Sequence, residues 1–117
     1  VQKAGIEALK GPWKPIEEMA KEYDRRRRFM ASRLSEIDGV RCHTPEGAFY
    51  LFPGIEALGV GSEEFCESLL KEKKILTRPG TAFGASCGNN LRIPLIKPLG
   101  SLKEIAVSIE DHIQNMS

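Results

Sequence analysis

Arg92 is a lone charge in the apolar run Leu91-Arg92-Ile93-Pro94-Leu95-Ile96, a few residues after Arg78-Pro79-Gly80-Thr81-Ala82-Phe83-Gly84. A guanidinium taken out of water is costly unless paired. Its planar fork of donors also matches a carboxylate or a phosphate through two parallel hydrogen bonds. One reading is therefore a fixed anion receptor at the end of a strand, beside a glycine-bearing loop. A strand also alternates its faces, so Leu91, Ile93 and Leu95 can point inward while Arg92 meets solvent. Pattern alone leans to the solvent-facing reading, because arginine is mostly exposed in folded proteins.

Other residues with chemical capacity are poorly arranged for it. His43 follows Cys42 directly, so in a strand the two side chains point to opposite faces. His112 lies beside Asp111 near the end of the last helix, where a histidine meets the helix dipole or solvent. The histidines and cysteines lack metal-ligand spacing. Neither a dinucleotide glycine fingerprint nor a phosphate-loop glycine-lysine motif is present. Arg25-Arg26-Arg27-Arg28 is a basic cluster, but four consecutive helical residues cover every side of the helix. Part of that run must flank an apolar stripe with its aliphatic stems, so a solvated or ion-paired cluster is the favoured reading. Gly47-Ala48-Phe49-Tyr50 permits a close backbone approach at a hairpin corner, with two aromatics opening a strand.

Composition bounds the rest. The 117 residues suit one domain that buries about two-thirds of its unfolded surface. With 41% hydrophobic and 28% charged residues, the chain is neither disordered nor membrane-spanning in character. A net charge of +1 gives no general attraction to nucleic acid or lipid. Three cysteines without a C-x-x-C pair argue against disulfides and zinc, and fit a reducing cytoplasm. The Asn115-Met116-Ser117 sequon is read as chance. The opening Val1-Gln2-Lys3-Ala4 has no signal pattern and starts as if inside a helix, so the chain reads as a piece of something longer.

The elements that must hold Arg92 follow from periodicity and punctuation. Residues 1–10 read as a helix stopped by Gly11-Pro12. A second helix starts near Lys14 or Pro15, with Ile16, Met19, Ala20, Tyr23, Met30, Leu34 and Ile37 as one stripe and Gly39 as its stop. Val40–His43 and Ala48–Phe52 read as an antiparallel hairpin around Pro45-Glu46-Gly47. Ser62 is the expected N-cap of a helix through about Lys73 that buries Phe65, Cys66, Leu69 and Leu70. Ile75–Thr77 and Asn90–Leu95 are the third and fourth strands. Ser101-x-x-Glu104 reads as a capping box for a last helix carrying Leu102, Ile105, Ala106, Ile109 and Ile113. The order α-α-β-β-α-β-β-α predicts a two-layer α/β sandwich, with helices covering a small, mostly antiparallel or mixed sheet of about four strands.

Together these segments resemble the C-terminal small domain of class I/II aminotransferases, the pyridoxal-phosphate enzymes of fold type I, over essentially the whole chain. Gln2-Lys3-Ala4-Gly5 through Ala8-Leu9 is similar to the exit of the helix joining large and small domains. Tyr23-x-x-Arg26-Arg27 matches the first small-domain helix. Pro45-Glu46-Gly47-Ala48-Phe49-Tyr50-Leu51-Phe52-Pro53 is close to the family hairpin. Pro79-Gly80-Thr81-Ala82-Phe83-Gly84, a gap, then Leu91-Arg92-Ile93 is similar to its substrate-carboxylate segment. Where relatives have serine and then an aromatic or small residue after the arginine-aliphatic pair, this chain has Pro94-Leu95, so the strand lies at an edge or ends early. Asn89 stands where many relatives carry an acid.

The resemblance implies residues 1–12 as the end of an interdomain helix and 13–117 as the small domain. It implies that Arg92 binds the α-carboxylate of an amino or 2-oxo acid, and that Phe49 lines the same cavity. No catalytic residue is assigned to this segment. Pyridoxal 5'-phosphate and its Schiff-base lysine would belong to a large domain absent from the chain, in a cytoplasmic homodimer. A fold type I lyase, decarboxylase or cyclopropane-forming synthase shares this clamp. A polyanion-binding α/β module using Arg25–Arg28 is the reading from another class.

Overall fold

Gly11 ends the first helix, as its sequence requires. The computed structural model describes Val1 to Met116; Ser117, and with it the end of the sequon triplet, lies outside the described residues. Helix α1 spans Gln2–Lys10, and its closing hydrogen bond runs from the Gly11 amide to the Glu7 carbonyl. Helix α2 spans Lys14–Ser35 with Pro15 in its first turn, where a missing amide hydrogen costs nothing. Strand β1 (Tyr50–Leu51), helix α3 (Ser62–Lys73), strand β2 (Arg78–Pro79), strand β3 (Leu91–Pro94) and helix α4 (Leu99–Gln114) follow. Short 3-10 turns occupy Glu56–Leu58, Gly80–Phe83 and Ala85–Cys87.

The sheet is antiparallel, in the order β1-β3-β2. Its inner face, with Leu51, Leu91, Ile93 and Leu95, shares one core with Met30 and Leu34 of α2, Phe65 and Leu69 of α3, and Leu102 and Ile109 of α4. At roughly 1.5–3 kcal/mol per fully buried large aliphatic or aromatic side chain, this core is the main favourable term in folding.

The expected four-strand sheet has three strands. Val40–His43 keeps only the pair of hydrogen bonds between Arg41 and Gly54. Arg27 of α2 binds the Pro45 carbonyl and draws the following loop toward the helix, away from a hairpin with β1. The third strand lies at Arg78–Pro79, not Ile75–Thr77. Continuing that register would set Leu76 opposite Pro94, which has no amide hydrogen to donate. Pro94 thus ends β3 early, yet β3 is the central strand rather than an edge.

Helix boundaries and faces also differ from the pattern. Helix α2 ends at Ser35; Gly39, at φ 85°, turns the chain after it, and a side chain there would collide with Leu58. Only the C-terminal half of the α2 stripe is buried, because this helix overhangs the body it packs on; Met19 is 54% exposed. Leu70 is likewise outside the core. Helix α4 begins at Leu99 after Pro98, so Ser101 lies within its first turn and forms no capping box. Pro98 takes the cap position instead, its ring fixing φ at −56° while ψ, at 155°, is still extended.

The four consecutive arginines Arg25–Arg28 of α2 are all ion-paired on the helix itself. Glu22 holds Arg25 and Arg26, and Asp24 holds Arg27 and Arg28. Arg26 and Arg27 lie along the protein surface and Arg25 and Arg28 reach outward, as an apolar stripe beside them requires. The Arg27 hydrogen bond, helped by the charge of Arg28, holds the Asp24 carboxyl below its ordinary value of 3.8. The contribution of Asp24 is thus full above that value and lost as pH falls through its lower folded value. Thermal melts between neutral and acid pH should show Asp24→Asn removing part of the stability at neutral pH and converging with the parent as pH falls through the lowered folded-state value of Asp24.

Ser62 is not the cap of α3. Gly61 occupies that position, and Ser62 is the first helical residue, buried, with a hydroxyl that has no hydrogen-bond partner. Its backbone amide donates to the Gly88 carbonyl. Ser62→Ala should leave the denaturation midpoint unchanged or raise stability by up to about 1 kcal/mol, since it removes an unpaired buried hydroxyl. A loss near 1 kcal/mol would restore the capping role.

Candidate functional site

Strand β3 alternates as its sequence predicts: Leu91 and Ile93 are buried, while Arg92 and Pro94 lie half-buried on the opposite face. Arg92 nevertheless does not simply meet solvent. Its guanidinium carbon sits 4.6 Å from the centre of the Tyr50 ring and 4.9 Å from that of Phe83. The register accounts for Tyr50: it stands opposite Pro94, hence diagonal to Arg92 on the same face. Phe83 arrives from the 3-10 turn that follows β2.

The aromatic contacts continue outward on both sides. Phe49 lies 4.6 Å from Tyr50 and 5.4 Å from Tyr23, and Phe52 meets Phe83 edge-on at 6.0 Å. Arg92 therefore sits in the middle of a row of rings. Cation–π contacts contribute about 0.5–2 kcal/mol each, and more as water is excluded. They stabilise the cation without neutralising it. Arg92 Nε is buried with no hydrogen-bond partner, and no carboxylate pairs with this guanidinium among the described residues. The result is an immobilised fork of donors with no anion of its own.

The structure brings Phe49 near this site but not against the guanidinium; Tyr50 stands between them. Tyr50 and Phe83 are the residues that sequence reasoning missed. Their signal was present, since both lie inside the segments flanking Arg92, but ring-to-cation stacking depends on the register and on the path of the loop.

The backbone around the site is tightly placed. The Gly80 amide donates to the Asn90 carbonyl at 2.7 Å, just before β3. A Cβ at Gly80 would lie 2.1 Å from the Cys87 carbonyl oxygen and 2.7 Å from that of Asn90. Glycine precedes Arg92 for this reason: two stretches of backbone touch there. At the other loop the glycine reading shifts by one residue. Ala48, not Gly47, takes the left-handed conformation, at φ 62°, and nothing crowds Gly47. Helix α2 ties both ends of the site down. Arg26 donates to the Leu95 carbonyl at 3.1 Å, and Arg27 donates to that of Pro45.

Other chemically capable groups have structural roles or stand apart. Burial pushes the Cys42 thiol up to about 11, and burial also raises that of Cys66, so both are protonated at neutral pH. His112 is 1% exposed rather than solvent-facing. It bonds Ser68 Oγ at 2.9 Å and Glu72 Oε2 at 3.1 Å. This serine–histidine–glutamate row joins α3 to α4. Ser68 lies mid-helix, where the backbone amides are already used, so no oxyanion site faces its hydroxyl. Among the described residues, no group of three or more His, Cys, Asp or Glu could hold a metal ion. No helix there is long and apolar enough to cross a membrane.

The family described as "Aminotransferase class I and II" matches residues 1–109. The chain belongs to that family. An aspartate aminotransferase of Pyrococcus horikoshii is 41% identical over 116 residues, covering 97% of this chain and 30% of its own length. Aromatic-amino-acid aminotransferase 2 of Thermococcus litoralis is 40% identical over 106 residues, covering 89% of this chain and 27% of its own. The crystal structure of the aspartate aminotransferase of Rhizobium meliloti superposes with a TM-score of 0.90 at 32% identity, covering 99% of this chain and 31% of that one. The chain thus spans about 30% of the length of the curated relatives it matches.

Family membership implies dependence on pyridoxal phosphate. Among the described residues the recorded contacts of Arg92 are the Tyr50 and Phe83 rings, and these supply no lysine amine for a Schiff base and no carboxylate for a pyridine nitrogen.

Gly80→Ala should cost about 1–3 kcal/mol, because two carbonyls of the backbone must give way. A shift of the urea midpoint would measure it; an unchanged midpoint would show that the close approach is dispensable.

Proposed function

We propose that this chain is the C-terminal domain of an amino-acid aminotransferase, and that Arg92 binds the α-carboxylate of the amino or 2-oxo acid. The observation that carries the reading is a guanidinium fixed between two rings and left without a counterion. A bidentate salt bridge would complete its hydrogen bonding and use the rigidity of its planar fork. Phe49, the ring between Tyr50 and Tyr23, would line the same cavity.

Pyridoxal phosphate would be held by a large domain outside residues 1–117, where it supplies the electron sink for the amino-group exchange. This domain's part is to bind and orient the substrate and to exclude water by closing over it. Residues 1–12 would connect the two domains; α1 buries none of its residues here, as such a connector would. A homodimer in the cytoplasm completes the proposal for the whole enzyme.

In the complete enzyme, Arg92→Lys should lower kcat/KM about a hundredfold, because lysine keeps the charge and loses the two-pronged geometry. Unchanged kinetics would overturn the assignment. A new 2-oxo acid formed from an amino acid plus 2-oxoglutarate distinguishes transamination from elimination or decarboxylation on the same clamp.

A further inference from the structure

Of the three nitrogens of the Arg92 guanidinium, Nε is the one that is both buried and without a hydrogen-bond partner among the described residues. An anion arriving from solvent cannot reach the edge of the fork that Nε shares with a terminal nitrogen. It must meet the other edge, the pair Nη1 and Nη2. The site therefore leaves open only one of the two bidentate approaches that a free guanidinium allows. Something must hold the side chain in that pose. Its contacts are the rings of Tyr50 and Phe83, 4.6 and 4.9 Å from the guanidinium carbon.

Folding alone accounts poorly for these two rings. Neither belongs to the hydrophobic core or to the side chains packed against it, and Phe83 is 49% exposed. Both are placed by the elements that flank β3. Tyr50 stands opposite Pro94 and is backed by Phe49 at 4.6 Å. Phe83 ends the turn Gly80–Phe83, whose first residue is packed against the carbonyls of Cys87 and Asn90, and Phe52 meets it edge-on at 6.0 Å. Each ring thus has its own backing, and the cation lies against both. A ring attracts a cation through its quadrupole and leaves the N–H donors free for a carboxylate.

We propose that Tyr50 and Phe83 are positioning residues, which hold Arg92 with its Nη1–Nη2 edge outward so that the α-carboxylate is gripped end-on. The inference rests on the reading of Arg92 given above and adds how that grip is aimed. The two rings act through Arg92 and take no part in bond breaking. An arginine side chain has several rotatable bonds, and substrate binding would otherwise have to order them. With the rings in place the ordering is complete before substrate arrives, so less of the binding energy is lost to it. The rings then contribute a similar factor for every amino acid, because each presents the same α-carboxylate.

The test uses the complete enzyme in single-turnover half-reactions with alanine, aspartate and phenylalanine. Tyr50→Leu and Phe83→Leu keep an apolar side chain and remove the ring. Each should lower the second-order rate constant about three- to thirtyfold, by a similar factor for all three substrates. Tyr50→Phe should restore most of the loss, since the ring is what lies against the cation. In an Arg92→Gln background the two leucine changes should cost less than about twofold, because the group they aim is gone. Losses that multiply in that background would overturn the proposal, since the rings would then act on substrate directly or on the fold. A loss confined to one substrate would also overturn it, by making the ring a wall of the side-chain pocket. Arg92→Gln alone reads the underlying assignment and should slow all three substrates. If it does not, the carboxylate assignment falls; if it does and neither leucine variant is slowed, only the aiming role falls.

Discussion

Everything around the site depends on one strand that must serve two environments. Leu91, Ile93 and Leu95 enter the core, and Arg92, between them, cannot follow. Strand geometry resolves the conflict by sending alternate side chains to opposite faces. The outer face then has its own problem, a cation half out of water. Two aromatic rings hold it there without cancelling its charge. The supports are π faces rather than anions, so the guanidinium keeps its charge and has no counterion among the described residues.

That choice passes the burden to the neighbouring elements. The rings of Tyr50 and Phe83 come from different sides of β3, so both β1 and the turn after β2 must be in place before Arg92 is clasped. Gly80 permits the close approach that brings Phe83 in. Arg26 and Arg27, held to Glu22 and Asp24, fix the end of β3 and the loop before β1 from the helix side. The basic run is the ion-paired cluster that its sequence favours, and two of its members, Arg26 and Arg27, also act as struts.

Much of the scaffold was legible because its signals are local. Gly11-Pro12 stops a helix wherever it occurs, and the extent of α3 from Ser62 to Lys73 follows from its periodicity. Pro94 announced the end of β3. Failures gathered where a long-range contact competes with a local preference. Ser62 looked like a cap, but Gly61 took that place and left the serine hydroxyl buried. Val40–His43 alternates like a strand, yet the Arg27 tie to Pro45 takes the chain elsewhere. His112, polar and near a helix end, is buried because Ser68 and Glu72 of the adjacent helix supply both of its hydrogen bonds.

The sequence by itself determined the family, the kind of fold and the isolation of Arg92 among apolar neighbours. Each of those is carried by residue type and spacing, which do not need a third dimension. Only the tertiary structure decided what surrounds the guanidinium: Tyr50 and Phe83 against its faces, Phe49 one ring away, and Arg78 across the strand. Those neighbours are set by strand register and by the path of a glycine turn. Shifting the register by one residue would send Arg78 to the opposite face, with no change in composition or pattern.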